Sequence, residues 1–195
     1  MIVAIWRNIR LALTLFVILG LGYSLVLVGI GQLFLPSQAQ GSLIVQHGQV
    51  VGSSLIGQNF SGPGFFHGRP STTVNAVTGK PEPYNADNSS GSNLGPTNPA
   101  LLSEIKSNIA AQRPQVSGPM PGNLVESSAS GLDPEITVQA ALAQVPAVSR
   151  ETGIPSATLR GLVAKEAEGP LFGLYGPWRV NVLELNLALR QIEGR

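Results

Sequence analysis

The pattern of hydrophobic and polar positions divides the chain into an apolar N-terminal segment and a mixed remainder. From Leu11 to Leu35 there is no charged residue over 25 positions. As an α-helix this segment would be about 37 Å long, more than the roughly 30 Å hydrocarbon core of a bilayer. The pattern therefore predicts a transmembrane helix over residues 11–35, preceded by a short N-terminus at residues 1–10.

The charges on either side of this span predict its orientation. Arg7 and Arg10 precede it, together with Trp6 as an interfacial anchor, whereas the next basic residue is Arg69. The positive-inside rule then places the N-terminus in the cytoplasm and the rest of the chain outside it. A cleaved signal peptide is the alternative, because Ser37-Gln38-Ala39 resembles a processing site. Secretory apolar regions usually have about 7–15 residues, so the length favours an uncleaved anchor.

Residues 36–195 form the predicted extracytoplasmic domain, which begins with a strand-like stretch. Leu43–Val45 and Val50–Val51 flank a tight turn, where Gly48 supplies the positive φ that a two-residue hairpin needs. The run GSLI returns shortly afterwards as GSSLI, which suggests a matching second strand. A further short strand is predicted at Leu124–Glu126.

The second half of the domain has the cap residues and apolar spacing of helices. Asn98 is a predicted N-cap with Pro99 in the first helical position, and Pro114 ends that helix. Strands followed by helices favour an α+β fold, so we expect an α+β extracytoplasmic domain on a single N-terminal transmembrane helix. The other predicted helices are Thr137–Gln144, Pro146–Thr152, Pro155–Glu168 and Asn181–Ile192, and Thr137 and Asn181 are the predicted N-caps of the first and the last of these.

Residues 72–98 form a polar connection that is long for a compact domain and is therefore a candidate for function. Gly91 and Gly95 permit unusual backbone angles, and Leu94 is a lone apolar residue among polar neighbours. This makes the segment a candidate docking loop, although Leu94 could instead fold back onto the domain. The candidate docking residues are Ser90, Gly91, Ser92, Asn93, Leu94, Gly95, Pro96, Thr97 and Asn98.

Small residues in the span are candidates for packing against a partner helix. Gly20 and Ser24 form a small-xxx-small pair, and Gly22 and Gly29 lie two turns apart on one face. Small residues let helix backbones approach closely in lipid. The alternative is that glycine is simply common in transmembrane helices.

Composition and charge remove several classes of function. The chain has no cysteine, which excludes disulfides, thiolate catalysis and cysteine-bearing metal sites. Only 12% of its residues are charged and its formal net charge is +1. A chain so close to neutral lacks the basic footprint of a nucleic-acid-binding protein. Two histidines are too few for an all-histidine metal cage, so no metal site is expected.

No catalytic constellation is complete. Gly79-Lys80 lacks the serine or threonine that a phosphate-binding P-loop needs, because Pro81 stands there. His47 lies in the predicted hairpin turn, and His67 between Phe66 and Gly68 is more typical of a packed ring than of a base. Glu166 and Glu168 lie at the end of one predicted helix, and we expect their carboxylates to be exposed to solvent. We therefore expect no catalytic residue, and a membrane-tethered extracytoplasmic hydrolase using a histidine is the alternative.

Four blocks of the sequence together resemble the KdpC family, the C subunits of the Kdp potassium-transporting P-type ATPases. The blocks follow one another in the family's order and, with the span, cover almost the whole chain. Departures include Glu135, where the family usually has histidine, and Trp178, where it usually has proline. The blocks are GSLIVQHGQVVGSSLIGQNFSGPGFFHGRPS (41–71), YNADNSSGSNLGPTNPALL (84–102), SASGLDPEI (128–136) and RVNVLELNLAL (179–189).

The resemblance implies an accessory subunit of an ATP-driven, high-affinity potassium uptake complex in the bacterial inner membrane. Its implied partners are a potassium-conducting subunit and an ATP-hydrolysing P-type subunit, besides membrane lipid. The family has been given two roles, assembly of these subunits and raising the ATP affinity of the hydrolysing one. An extracytoplasmic domain cannot touch cytosolic ATP, so the orientation favours assembly. ATP, Mg²⁺ and K⁺ are then used by the complex, with no cofactor bound directly to this chain.

Overall fold

The chain divides into two units, Met1–Val51 and a second unit that begins at Gly52. A computed structural model of the protein describes residues 1–194. The first unit contains a long helix and most of a hairpin, and the second contains the α+β body. A mixed body of helices and a small sheet, on a chain with one apolar N-terminal helix, confirms the predicted fold class.

Helix α1 runs from Ile2 to Phe34, and an 18-residue stretch within it has a mean hydropathy of 2.5. It is the one helix within residues 1–194 whose length and composition suit a membrane crossing, and its residues are not buried by the protein. The helix begins at Ile2 rather than Leu11, so Arg7 and Arg10 are helical. Arginine, alanine and isoleucine in this stretch all sustain a helix. A π-helical segment at Phe16–Gly22 interrupts the α-helical spacing.

The predicted hairpin is confirmed, and the matching second strand is wrong. Strands β1 (Leu43–Gln46) and β2 (Gln49–Ser53) follow a short helix, α2 (Pro36–Ala39). His47 and Gly48 form the turn with φ values of 51° and 77°, as a two-residue hairpin requires. Strand β2 ends before the rest of the GSSLI run, which forms a turn.

The second unit is built from four α-helices and a three-stranded antiparallel sheet. Glu135 pairs with Asn181, and Ala167 with Val180, so that the central strand β5 lies between β3 and β4. A 3₁₀ turn at Gly122–Leu124 replaces the strand predicted at 124–126. The elements are α3 (Pro99–Gln112), β3 (Glu135–Thr137), α4 (Val138–Thr152), α5 (Ser156–Lys165), β4 (Ala167–Glu168), β5 (Arg179–Asn181) and α6 (Val182–Glu193).

Helices α4, α5 and α6 pack together and against the sheet to form the core. The apolar side chains of these helices meet Phe66 and Leu124 from the preceding loops. Residues 72–98 contain no helix or strand, as predicted, apart from an isolated bridge between Val74 and Pro81. The fully buried apolar residues include Phe66, Leu124, Ile136, Val145, Val148, Leu159, Val163, Val180, Leu185 and Leu189.

The predicted helix caps are confirmed. Asn98, Thr137 and Asn181 each accept a hydrogen bond from a backbone N–H in the first turn of the helix that follows. Such bonds satisfy donors that have no partner inside the helix. Gly153, with φ of 75°, ends α4 in the left-handed conformation that glycine adopts most readily.

The predicted break at Pro146 is wrong, because α4 continues through it. A proline removes one hydrogen bond within the helix and disturbs the carbonyls of the preceding turn. The carbonyl oxygen of Ala143 accepts a hydrogen bond at 2.9 Å from the backbone N–H of Ser117. The bond that Pro146 cannot make is the one to the carbonyl oxygen of Leu142, so this external donor reaches the next carbonyl in the same turn and does not replace the lost bond. Helix α5 also ends earlier than predicted, at Lys165, so Glu168 lies on strand β4.

Candidate functional site

The buried side-chain amides of two residues, Asn186 and Gln144, anchor the segment that precedes the polar connection at residues 72–98. Asn186 on α6 accepts from the backbone N–H of Phe66 and donates to its carbonyl oxygen, both at 2.9 Å. Gln144 on α4 does the same for His67, at 2.8 and 3.1 Å. Side-chain amides thus satisfy both peptide groups as a neighbouring strand would. They fix the start of the 66–71 segment on the helical core.

Arg69 connects this segment to the 126–133 loop. Its guanidinium donates to a carboxylate oxygen of Asp133 at 3.0 Å and to the carbonyl oxygens of Glu126 and Ser127 at 3.3 Å. The planar arrangement of donors in arginine suits several acceptors at once. The ion pair with Asp133 is about three-quarters buried. The ion pair and these hydrogen bonds form a structural junction between the 66–71 segment and the 126–133 loop.

Tyr84 closes the other side of this junction. Its hydroxyl donates to the carbonyl oxygen of Arg69 at 2.7 Å. A Cβ at Gly57 or Gly68 would collide with the Tyr84 side chain, so the two glycines make room for it. Burial, assisted by the charge of Asp133 and opposed by that of Arg69, raises the pKa of Tyr84 to about 12.

The candidate docking loop begins close to the 128–131 loop and ends exposed. Ser90 donates its backbone N–H to the carbonyl oxygen of Ser130 at 3.0 Å. A Cβ at Gly91 would lie 2.6 Å from the carbonyl oxygen of Ala129, so that approach requires glycine. Asn93 has a positive φ of 53°, and its side-chain amide donates to the carbonyl oxygen of Gly91.

Leu94 itself is half-buried beside helix α3. It lines a hollow of about 240 Å³ together with Leu101 and Ile105. The four residues that follow it, Gly95 to Asn98, are exposed. The loop therefore has an anchored half and an exposed tip of small and polar residues.

The loop around Lys80 does not offer a phosphate cradle. The side-chain oxygen of Asn75 accepts from the backbone N–H groups of Val77 and Thr78, and its carbonyl oxygen accepts from that of Gly79 at 2.8 Å. A P-loop binds phosphate through backbone N–H groups that point at the ligand. Here those groups are already bonded within the turn.

Neither histidine has an acidic partner among residues 1–194. His67 places its ring nitrogen Nε2 3.1 Å from the carbonyl oxygen of Gly62, which suits a hydrogen-bonded structural ring. His47 lies exposed in the hairpin turn. No group of three or more histidine, aspartate or glutamate side chains in the described part of the chain is arranged to hold a metal ion.

The four small residues of α1 that were singled out as packing candidates face two sides of the helix. At about 100° per residue, Gly20 and Ser24 lie roughly opposite Gly22 and Gly29. The Ser24 hydroxyl donates to the carbonyl oxygen of Gly20 at 2.8 Å, within its own helix. A Cβ at Gly29 would meet nothing within 4 Å, so this position leaves open space beside the helix.

An ion-pair group lies where the sheet meets the 169–178 turn. Arg179 donates to Glu135 at 2.8 Å and to Glu168 at 3.0 Å, across all three strands. Burial raises the pKa of Glu135, while the neighbouring Arg179 opposes that shift. Glu168 is paired with Arg179 but stays 54% exposed, so it is a solvated charge as predicted, although it lies on strand β4 and not at a helix end.

Comparison with known proteins decides the family. A sequence model described as "K+-transporting ATPase, c chain" matches residues 5–191. This chain belongs to the KdpC family. The KdpC subunit of the potassium-transporting ATPase of Methylobacterium nodulans is 47% identical over 191 residues, which cover 95% of each chain. That of Polaromonas naphthalenivorans is 52% identical over 191 residues, covering 94% of each.

Membership of the KdpC family confirms the resemblance inferred from the four sequence blocks. The chain is by family a subunit of a potassium-transporting ATPase, and the match includes both α1 and the α+β body. Sequence reasoning missed the Arg69, Asp133 and Tyr84 junction. Arg69 could have been singled out as the first charge after the span, but its partners lie 15 and 64 positions away along the chain.

Proposed function

We propose that the chain is the accessory subunit that assembles and stabilises the potassium-conducting and ATP-hydrolysing subunits of an ATP-driven potassium uptake complex. The observation that carries this proposal is the family match over residues 5–191, which takes in the membrane helix as well as the body. A subunit that joins membrane partners needs surfaces in both places. The exposed small residues of α1 and the exposed loop tip at 95–98 are the surfaces proposed here.

In this proposal the chain spans the bacterial inner membrane once, with its N-terminus inside. Arg7 and Arg10 support that orientation through the positive-inside rule. Because the chain has no cysteine, Ser89→Cys introduces a unique thiol on the body. It should react with a membrane-impermeant maleimide in intact spheroplasts, whereas the matched variant Asn8→Cys should react only after lysis. The reverse pattern would contradict the orientation.

ATP, Mg²⁺ and K⁺ are, in this proposal, bound by the partner subunits. The hydrogen-bonded turn around Lys80 supports this, since its backbone donors are already used. An effect of this chain on ATP affinity would then act through the partners as a coupling between distant sites. The alternative, a tethered hydrolase, finds no support in the positions of His47 and His67.

Co-purification tests the proposal. The two large partner subunits should be co-expressed with and without this chain, and the membranes solubilised in mild detergent. We expect a stoichiometric complex in its presence and separated or degraded partners in its absence. Equal recovery of the assembled partners without the chain would contradict an assembly role.

The docking loop is tested separately in the same assay. Thr97→Trp enlarges the exposed tip and should lower partner recovery, because the added ring would clash with a docked surface. Thr158→Trp, an exposed threonine on α5, is the matched control and should leave recovery unchanged. Equal recovery for both variants would place the partner elsewhere.

A further inference from the structure

The connection between strands β4 and β5 carries exposed apolar side chains that the proposed function leaves unexplained. We call residues 169–178 the apolar turn, because its ten residues include no charge. Phe172, Leu174 and Tyr175 are 85%, 80% and 69% exposed, and Leu171 is also more than half exposed. A contiguous apolar patch of this kind marks an interaction site more often than a bare surface.

The backbone of the apolar turn holds these side chains outward. Leu171 and Tyr175 exchange two backbone hydrogen bonds, at 2.9 and 3.1 Å, and Gly173 donates to the carbonyl oxygen of Pro170 at 2.9 Å. Phe172 has a φ of 54°, a left-handed conformation that a bulky residue seldom adopts. A hydrogen-bonded turn that places a phenylalanine in this conformation presents the ring to the surroundings.

The base of the turn is fixed by an ion-pair group. Arg179 pairs with both Glu135 and Glu168, so one guanidinium holds two carboxylates and the group keeps a net charge of −1. Trp178, 59% exposed, lies over Gly169, where a Cβ would come within 3.5 Å of the indole ring. The indole is thereby held beside the apolar tip.

We propose that the apolar turn inserts into the headgroup region of the bilayer that α1 spans. Leucine with phenylalanine, tyrosine and tryptophan, free of charge, is the composition found at membrane interfaces. A protein partner would be expected to form about one hydrogen bond per 100–200 Å² of contact, within a polar rim. The side chains of the turn offer only the Tyr175 hydroxyl and the Trp178 indole N–H, which suits lipid better.

The chain itself keeps the turn near a membrane. Helix α1 ends at Phe34 and the second unit begins at Gly52, so 17 residues connect them. Even fully extended, this connection reaches at most about 60 Å. A connection of this length keeps the effective concentration of the turn near the membrane high. Insertion of a few side chains, too weak to bind a membrane alone, then acts as a second anchor.

Site-specific labelling of the full chain tests the proposal. Leu174→Cys and the matched control Val77→Cys, an apolar residue 93% exposed elsewhere on the body, each provide a single thiol for an environment-sensitive fluorophore. The chain is placed in nanodiscs of phosphatidylethanolamine and phosphatidylglycerol, without partner subunits. We expect the label at 174 to be several-fold less quenched by aqueous iodide than the label at 77, and to be quenched by lipids brominated near the headgroup.

Two outcomes would overturn the proposal. The label at 174 could be as accessible to iodide as the label at 77, which would show that no insertion occurs. It could also become protected only when the partner subunits are added, which would assign the turn to a protein partner.

Trp6→Phe provides a second measurement, since it leaves Trp178 as the only tryptophan. In the Trp6→Phe background, the added substitution Phe172→Ser should shift the fluorescence emission of Trp178 to the red. The control substitution Val77→Ser should leave that emission unchanged. An unchanged emission with Phe172→Ser would contradict insertion.

Discussion

Asn186→Ala should destabilise the body strongly, because it removes the hydrogen-bond partner of both the backbone N–H and the backbone carbonyl oxygen of the buried Phe66. Asn186 is 1% exposed and Phe66 is fully buried, and two hydrogen bonds of 2.9 Å join them. Leaving a buried donor or acceptor unsatisfied costs about 1–3 kcal/mol. The N–H and carbonyl oxygen of Phe66 together would then cost about 2–6 kcal/mol, offset by roughly 0.5 kcal/mol of improved helix propensity.

Thermal unfolding of the full chain in detergent measures this effect. For a unit of about 140 residues, each kcal/mol corresponds to about 4 °C, so we expect Tm to fall by about 6–22 °C. Gln191→Ala is the matched control, since it removes an exposed amide from the same helix and should change the free energy of unfolding by less than about 0.5 kcal/mol. A Tm for Asn186→Ala within the range of that control would refute the reasoning.

Three further predictions concern the loop, the membrane helix and the buried tyrosine. Leu94→Asp should lower the free energy of unfolding by about 1–2 kcal/mol, because it places a carboxylate in a half-buried apolar hollow; normal stability with reduced partner recovery would instead assign Leu94 to docking. Gly22→Leu with Gly29→Leu should leave membrane insertion intact but reduce partner recovery, and unchanged recovery would show that these glycines pack against nothing. Since the pKa of Tyr84 is raised from 10 to about 12, stability should fall by about 2–3 kcal/mol as pH rises through that window. Chemical unfolding of Tyr84→Phe should show no such fall, and an identical pH profile would contradict the assignment.

Local signals in the sequence predicted those features that neighbouring residues decide. Asn98, Thr137 and Asn181 form caps within their own first turns, and Gly48 has the positive φ that its hairpin needs. The apolar N-terminal segment was equally evident, because a helix of that composition needs no tertiary contact to be recognised.

Features decided by distant contacts were not predicted. Strands β3, β4 and β5 have two or three residues each, too few to show an alternating pattern. Pro146 reads as a helix break, yet α4 continues through it, with its neighbours Val145 and Ala147 buried in the core. Asn186 and Phe66 lie 120 positions apart, and nothing in either residue alone indicates the bonds between them.

Potassium uptake tests the central claim most directly. The two partner subunits should be reconstituted into proteoliposomes at equal amounts, with and without this chain, and ATP-driven uptake of K⁺ measured. An accessory subunit that assembles and stabilises the complex predicts sustained uptake with the chain and little or none without it. Uptake of the same rate and duration in its absence would contradict the account.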